Sequence, residues 1–344
     1  MLRTAPGPAV LSHPCPSLSD MTAQTAETPP PRGGPGAPPA PLAPVGDGRA
    51  GSVPPPRGSG GATDPEPARP SLSPSRAADF KTCPLLFRFR TIDRLPERPT
   101  ADQARGTLVH AVLERLFDLP PAERTPPAAA RLVAPQWERL VADSPELADI
   151  FGAGADPGPA ADFLDSARAL LAGYFAVEDP RRLRPAARES LISAVIGDDL
   201  LLRGYVDRLD VAPDGALRVV DYKTGGAPRE AFEARALFQL KFYALVLWRT
   251  RGVVPAVLRL LYLKDAEVCD YTPSPEELAR FERTLLALWR AIAAATAARD
   301  FRPTPSRLCD WCHHQRLCPT YGGTPPPFPT APPDAGGEPP LRQD

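Results

Sequence analysis

Asp207, Asp221 and Lys223 are the residues of this chain whose types and spacing could do chemistry, the last two set two apart in Asp221-Tyr222-Lys223. Leu202 to Val211 and Ala216 to Lys223 alternate with period two and read as strands. Between them Pro213-Asp214-Gly215 makes a turn, proline presetting φ and glycine tolerating a positive one. A three-residue loop pairs Ala212 with Ala216, which sets Leu209 opposite Val219 and Asp207 opposite Asp221, with Asp210 facing Arg218 on the other side. Two adjacent carboxylates repel unless a shared proton or a divalent cation neutralises them. With Lys223 beside them, a cation fits better: oxygen ligands for Mg²⁺ or Mn²⁺, and an ammonium to meet charge developing on a phosphoryl group. That is the chemistry of phosphodiester hydrolysis. His110 is a candidate nitrogen ligand, although a lone histidine on a helix is more often a core residue with one hydrogen bond. Lysine is scarce here, limited to Lys81, Lys223, Lys241 and Lys264 against 36 arginines, so its use at 223 is selective.

A second cluster is made of thiols. Cys309-Asp310-Trp311-Cys312 is followed by Cys318 after five intervening residues, and three thiolates so close can share one metal centre. The fourth ligand is either Cys83, giving a cluster of iron and sulfur that ties the two ends of the domain, or His313 or His314, giving a local zinc knuckle. Cys15 and Cys269 stand alone and read as plain thiols.

Several elements must position these groups. Ser73-Pro74-Ser75 has the form of a helix start. A second helix begins near Ala104 and places Val109, Val112, Leu113 and Leu116 on one apolar stripe, with His110 beside it. Residues 118 to 188 are rich in alanine, punctuated by proline, and read as packing helices without a chemical motif. Beyond the hairpin, Phe232 to Arg249 reads as a helix carrying Gln239 and Tyr243 one turn apart, Ala256 to Leu263 as a strand, and Pro275 to Ala298 as a long helix. The fold class is α/β.

Composition bounds the rest. Forty basic residues balance 41 acidic ones to a net charge of −1 over 344 residues, which excludes a polybasic protein whose whole surface binds nucleic acid. Of 48 prolines, 18 lie in residues 1–70 and nine in 319–344. Both ends lack the apolar residues that offset the entropy of ordering, so 1–70 and 323–344 are expected to be disordered Pro-rich tails around one domain at 71–322. No apolar run is long enough for a signal peptide or a membrane span, and a cytoplasmic location is expected.

Four runs in order, Gly106-Thr107-Leu108-Val109-His110, Gly204-Tyr205-Val206-Asp207-Arg208-Leu209-Asp210, Asp221-Tyr222-Lys223-Thr224-Gly225 and Gln239-Leu240-Lys241-Phe242-Tyr243, resemble the RecB-like branch of the PD-(D/E)XK nuclease superfamily over about residues 73–320. The resemblance implies a central mixed sheet flanked by helices, with His110, Asp207 and Asp221 as ligands of Mg²⁺ or Mn²⁺. It makes Lys223 the catalytic lysine, and Gln239 with Tyr243 a supporting or DNA-contacting pair. One cysteine ahead of these motifs and three behind is the layout of AddB-related and CRISPR-adaptation nucleases, and implies a [4Fe-4S] cluster on Cys83, Cys309, Cys312 and Cys318. The implied activity is that of a DNA nuclease, an exonuclease on single-stranded or frayed ends in repair or recombination. No ATP-binding phosphate loop is present, so the nuclease works either by itself or on strands opened by a separate helicase. The rivals are a DNA-binding scaffold that has lost cleavage, and a CRISPR-linked nuclease.

Overall fold

The computed structural model describes residues 13–14, 69–151, 158–227 and 233–329. Its strands are β1 (His13–Pro14), β2 (Ser71–Leu72), β3 (Ala187–Ile196), β4 (Leu200–Val211), β5 (Leu217–Lys223), β6 (Val257–Tyr262) and β7 (Glu267–Tyr271). Its α-helices are α1 (Pro74–Thr82), α2 (Pro84–Phe87), α3 (Ala101–Leu116), α4 (Pro126–Asp143), α5 (Gly158–Val177), α6 (Glu233–Arg251) and α7 (Pro275–Ala298). The strands form one mixed sheet in the order β1-β7-β6-β5-β4-β2, with β3 antiparallel to β4 and β5 parallel to β6.

Helices cover both faces, and the period-two pattern of β5 assigns them. Val219 joins the apolar cluster that includes Leu240, Phe242 and Leu245 of α6, whereas Val220 and Tyr222 join the cluster of α3, α4 and α5. Local signals set the helix starts. Ser73 caps α1 by accepting from Arg76 N–H, and Pro74 is its first residue. The helix expected near Ala104 starts at Ala101, because Thr100 and Gln103 form a reciprocal capping box.

The hairpin register is as expected: Arg208 faces Val220, Leu209 Val219, Asp210 Arg218 and Val211 Leu217, with Gly215 at φ 85° in the turn. Pairing stops one step before Asp207 and Asp221, which were expected to face each other. Beyond that point β4 stays with β3 and β5 with β6, and the two strands fork. The Tyr222 N–H, freed from the ladder, donates to Asp207 Oδ2 at 2.7 Å.

The strand β3 was not anticipated, its first residues having been read as the end of a helical stretch. The C-terminal boundary also moves. Arg88 donates to the carbonyl of Pro326 and Phe328 stacks on Phe301 with ring centroids 6.1 Å apart, so chain expected to lie in the tail packs against the domain as far as Pro329. The expected N-terminal tail, apart from 13–14 and 69–70, and residues 330–344 lie outside the described residues. Cys269, in β7, is disulfide-bonded and not the plain thiol expected. Among the described residues no helix is long and apolar enough to cross a membrane.

Candidate active site

Four elements converge where β4 and β5 fork. The apolar stripe of α3 packs on the sheet and carries His110 with it, buried, so that Nε2–H donates to the Tyr222 carbonyl at 3.0 Å. That bond leaves Nδ1 as the lone-pair nitrogen. It has no hydrogen-bond partner, and it faces Glu189 Oε1 at 3.5 Å and Asp207 Oδ2 at 3.6 Å. Asp221 Oδ2, also buried and without a hydrogen bond, is ion-paired with Lys223 Nζ at 2.8 Å. Lys223 donates to Gln239 Oε1 at 2.8 Å, and Gln239 Nε2 donates to the Tyr243 hydroxyl at 3.0 Å. The i, i+4 spacing of Gln239 and Tyr243 on α6 makes this chain possible. A Cβ on Gly204 would stand 2.8 Å from the Tyr243 ring, so glycine is required where β4 passes under α6.

All the expected residues line one cavity of about 510 Å³, His110, Asp207, Asp221, Lys223, Gln239 and Tyr243 together. The tightest ligand group differs from the expected one. His110, Glu189 and Asp207 offer donor atoms within 4.8 Å of one another, and Asp221 stands outside this trio, beside Lys223. Glu189 had not been singled out. The ladder pairs Arg188 with Arg208 and Ser190 with Val206, which puts Glu189 opposite Asp207. Its φ of 40° is left-handed, an arrangement that costs a non-glycine residue on the order of 1–3 kcal/mol.

The electrostatics follow from crowding acids in a dry place. Burial pulls His110 down, but the charges of Asp207, the nearby Glu189 and Asp221 together push it up to about 9. Burial first, then the charges of Asp221 and Glu189, push Asp207 up to about 7 against the opposing pull of His110 and the Tyr222 N–H. Tyr243 is held neutral, well above its usual range, by burial and by the charges of Asp221 and Asp207. Once the protons of His110 and Asp207 leave, an imidazole nitrogen between two carboxylates has the donor set of a hard divalent cation that also accepts nitrogen.

Behind the site, Arg208 is fully buried and makes a two-pronged ion pair with Glu178, at 2.6 and 2.8 Å. The same guanidinium bonds Asp210, and not Asp207, which is thereby left to the cavity.

The thiols form a second site. Cys83, Cys309, Cys312 and Cys318, all free, line a separate cavity of about 220 Å³. Thr304 N–H donates to Cys83 Sγ at 3.4 Å and Ser306 N–H to Cys309 Sγ at 3.3 Å. Burial pushes the Cys312 thiol up. His314 is not among the residues lining this cavity; its Nε2 lies 2.8 Å from Glu97 and its ring stands edge-on to Phe89. Among the described residues no three of these sulfurs lie within 4.8 Å of one another, whereas sulfurs around one zinc stand about 3.8 Å apart.

A forked mixed sheet carrying acids, a lysine two residues past one of them and a buried histidine from a helix could together bind a divalent cation and meet a phosphate. The chain belongs to the PD-(D/E)XK nuclease superfamily, whose family model matches residues 71–319. It is 26% identical over 272 residues to the Gene 69 protein of Mycobacterium phage D29, covering 73% of this chain and 97% of that one. It is 29% identical over 127 residues to the Gene 69 protein of Mycobacterium phage L5, covering 36% and 41%. A crystal structure from Eubacterium rectale, described as a "Putative exonuclease", superposes with a TM-score of 0.47 at 12% identity, covering 72% of this chain and 88% of that one.

Proposed function

We propose that this nuclease is a cytoplasmic, Mg²⁺- or Mn²⁺-dependent exonuclease of the RecB-like, AddB-related branch, acting on single-stranded ends in DNA repair or recombination. The observation that carries this reading is the shared cavity, which His110 and Asp207 of the donor trio line together with Asp221 and the Lys223–Gln239–Tyr243 chain. The cavity of about 510 Å³ has room for a ligand the size of about one or two nucleotides. Duplex ends would be opened by fraying or by a separate helicase.

His110, Glu189 and Asp207 would hold the cation, with Asp221 as the adjoining acid. Bound there, it supplies Lewis-acid polarisation of the scissile phosphate and of the attacking water. The protein's own groups do the rest. The Lys223 ammonium, fixed between Asp221 and Gln239, stands where negative charge grows on the phosphoryl oxygens and stabilises it most in the transition state. The four-cysteine site would hold a [4Fe-4S] cluster that joins α1 to the last segment of the domain. Four free thiols on one cavity, backbone N–H groups aimed at two of them and sulfurs too widely set for one zinc all fit that group.

The test is cleavage of end-labelled single and double strands with each metal, by wild type and Lys223→Ala. Mononucleotide release from single strands, reduced by orders of magnitude in the variant, is expected. Binding without cleavage by wild type would establish a scaffold instead.

A further inference from the structure

Seven large apolar side chains stand exposed among the described residues, and three of them, Leu308, Trp311 and Tyr321, share the wall of the cysteine cavity. Trp311 is 74% exposed, the most of the seven, and Tyr321 is the one other aromatic among them, at 50%. Aromatic rings left in water beside a pocket mark a surface that is covered in function. Arg307 and Arg316 stand against the single acid Asp310 within residues 306–321, while the nearby Arg302 is paired with Asp300 at 3.0 Å. The patch is also continuous with the active site. Arg235 on α6 lines both cavities, and Gln239, which holds Lys223, lies one turn further along the same helix.

We propose that Trp311, with Tyr321 and the flanking Arg307 and Arg316, is a stacking platform for the stretch of single strand that lies outside the cleavage cavity, reached past Arg235. The inference rests on the single-strand reading above and adds where the strand runs. Bases offer their π-faces to exposed rings whatever their sequence, and arginines meet the phosphates between them. The platform lengthens the grip on the strand without entering the chemistry. Trp311 sits between two of the clustered cysteines, Cys309 and Cys312, so the metal centre would hold this platform in place.

The experiment uses the full chain, purified anaerobically, in chelator so that no strand is cut. Dye-labelled oligothymidylates of about 20 and about 4 nucleotides are titrated while the anisotropy of the dye is followed, with tryptophan quenching as a second readout for wild type. The longer strand is expected to quench wild type. Trp311→Ala should weaken its binding roughly five- to a hundredfold, the span of one lost base stack, and weaken the short strand far less. Trp311→Phe should restore most of the affinity, and Arg316→Ala should lower the slope of log Kd against log salt by about one. Equal binding of the long strand by wild type and Trp311→Ala would overturn the proposal. So would equal losses on both lengths, or a wild-type dimer that Trp311→Ala dissociates, which would make the patch a protein interface. Because binding is read without metal, failure of cleavage leaves this test standing, and a protein that binds but does not cut keeps the platform while losing the nuclease reading.

Discussion

Arg208 donates from Nη1 to the hydroxyl of Tyr222 across 2.9 Å, and through that bond an ion network centred on a fully buried guanidinium steadies the residue on which the site leans. The Tyr222 N–H holds Asp207 and its carbonyl holds His110, so the position of one backbone unit sets two candidate ligands at once. Arg208→Met takes their shared cation from Glu178 and Asp210, leaving Glu178 with Arg259 at 3.9 Å, while Asp210 keeps Arg218 at 2.8 Å. Breaking a buried pair costs about 3–5 kcal/mol, so thermal unfolding of the metal-free protein should fall by roughly 10 °C. Tyr222→Phe, which removes only the hydroxyl, should cost about 1–3 kcal/mol. Equal stability of Arg208→Met and wild type would show that the network does not bear on the fold.

Metal binding should depend on pH in a direction the site dictates. A cation can take His110 Nδ1 and the Asp207 carboxylate only after their protons leave. His110 is held up at about 9 and Asp207 up at about 7, so at slightly acid pH the cation competes with both protons, and at alkaline pH with neither. Affinity for Mn²⁺ should therefore rise as pH rises through about 7 towards about 9, with proton release that shrinks over the same range. Calorimetric titrations in buffers of different ionisation enthalpy measure both. A pH-independent affinity, or proton uptake on binding, would contradict this account of the site.

Much of the site was legible because its signals are local. The turn and the alternation fix the hairpin register, the Ser73 cap fixes α1, and the α3 stripe places His110. Glu189 was not legible. The strand that carries it follows an alanine-rich helical region, and only the largely apolar run Leu191 to Ile196 before Gly197-Asp198-Asp199 hints at a hairpin. Its left-handed φ also defies any pattern that assumes regular strand. The fork that separates Asp207 from Asp221 was hidden for a related reason, since it depends on strands β3 and β6 competing for the two partners. Glu189→Gln tests the added ligand. It should weaken Mn²⁺ binding by more than about tenfold, the least that loss of even an outer-shell partner costs. Unchanged binding would return the site to Asp221.

Four thiols converging from opposite ends of the domain predict a coloured protein. Anaerobic preparations should carry roughly four irons per chain, and Cys83→Ala should lose the colour and lower the unfolding temperature, because α1 is no longer tied to the segment after α7. Stoichiometric zinc without iron, with full stability of the variant, would refute the cluster.

The chain from Lys223 through Gln239 to Tyr243 predicts a graded loss. Gln239 is the residue that touches the lysine, accepting its proton at 2.8 Å, while Tyr243 touches only Gln239, accepting from its amide at 3.0 Å. Gln239→Ala frees the ammonium to collapse onto Asp221, its remaining partner at 2.8 Å, and away from the phosphoryl oxygens. Turnover should then fall by about 10²-fold, comparable to removing one preorganised donor, with a smaller change in KM. Tyr243→Phe keeps the ring that Gly204 accommodates and removes only the hydroxyl that orients the Gln239 amide. Its loss should be nearer tenfold, and the double variant should fall no further than Gln239→Ala alone, because the hydroxyl acts through the glutamine. Single-turnover rates of the four proteins on one labelled strand decide the matter. Additive losses would mean that Tyr243 reaches the substrate by its own route.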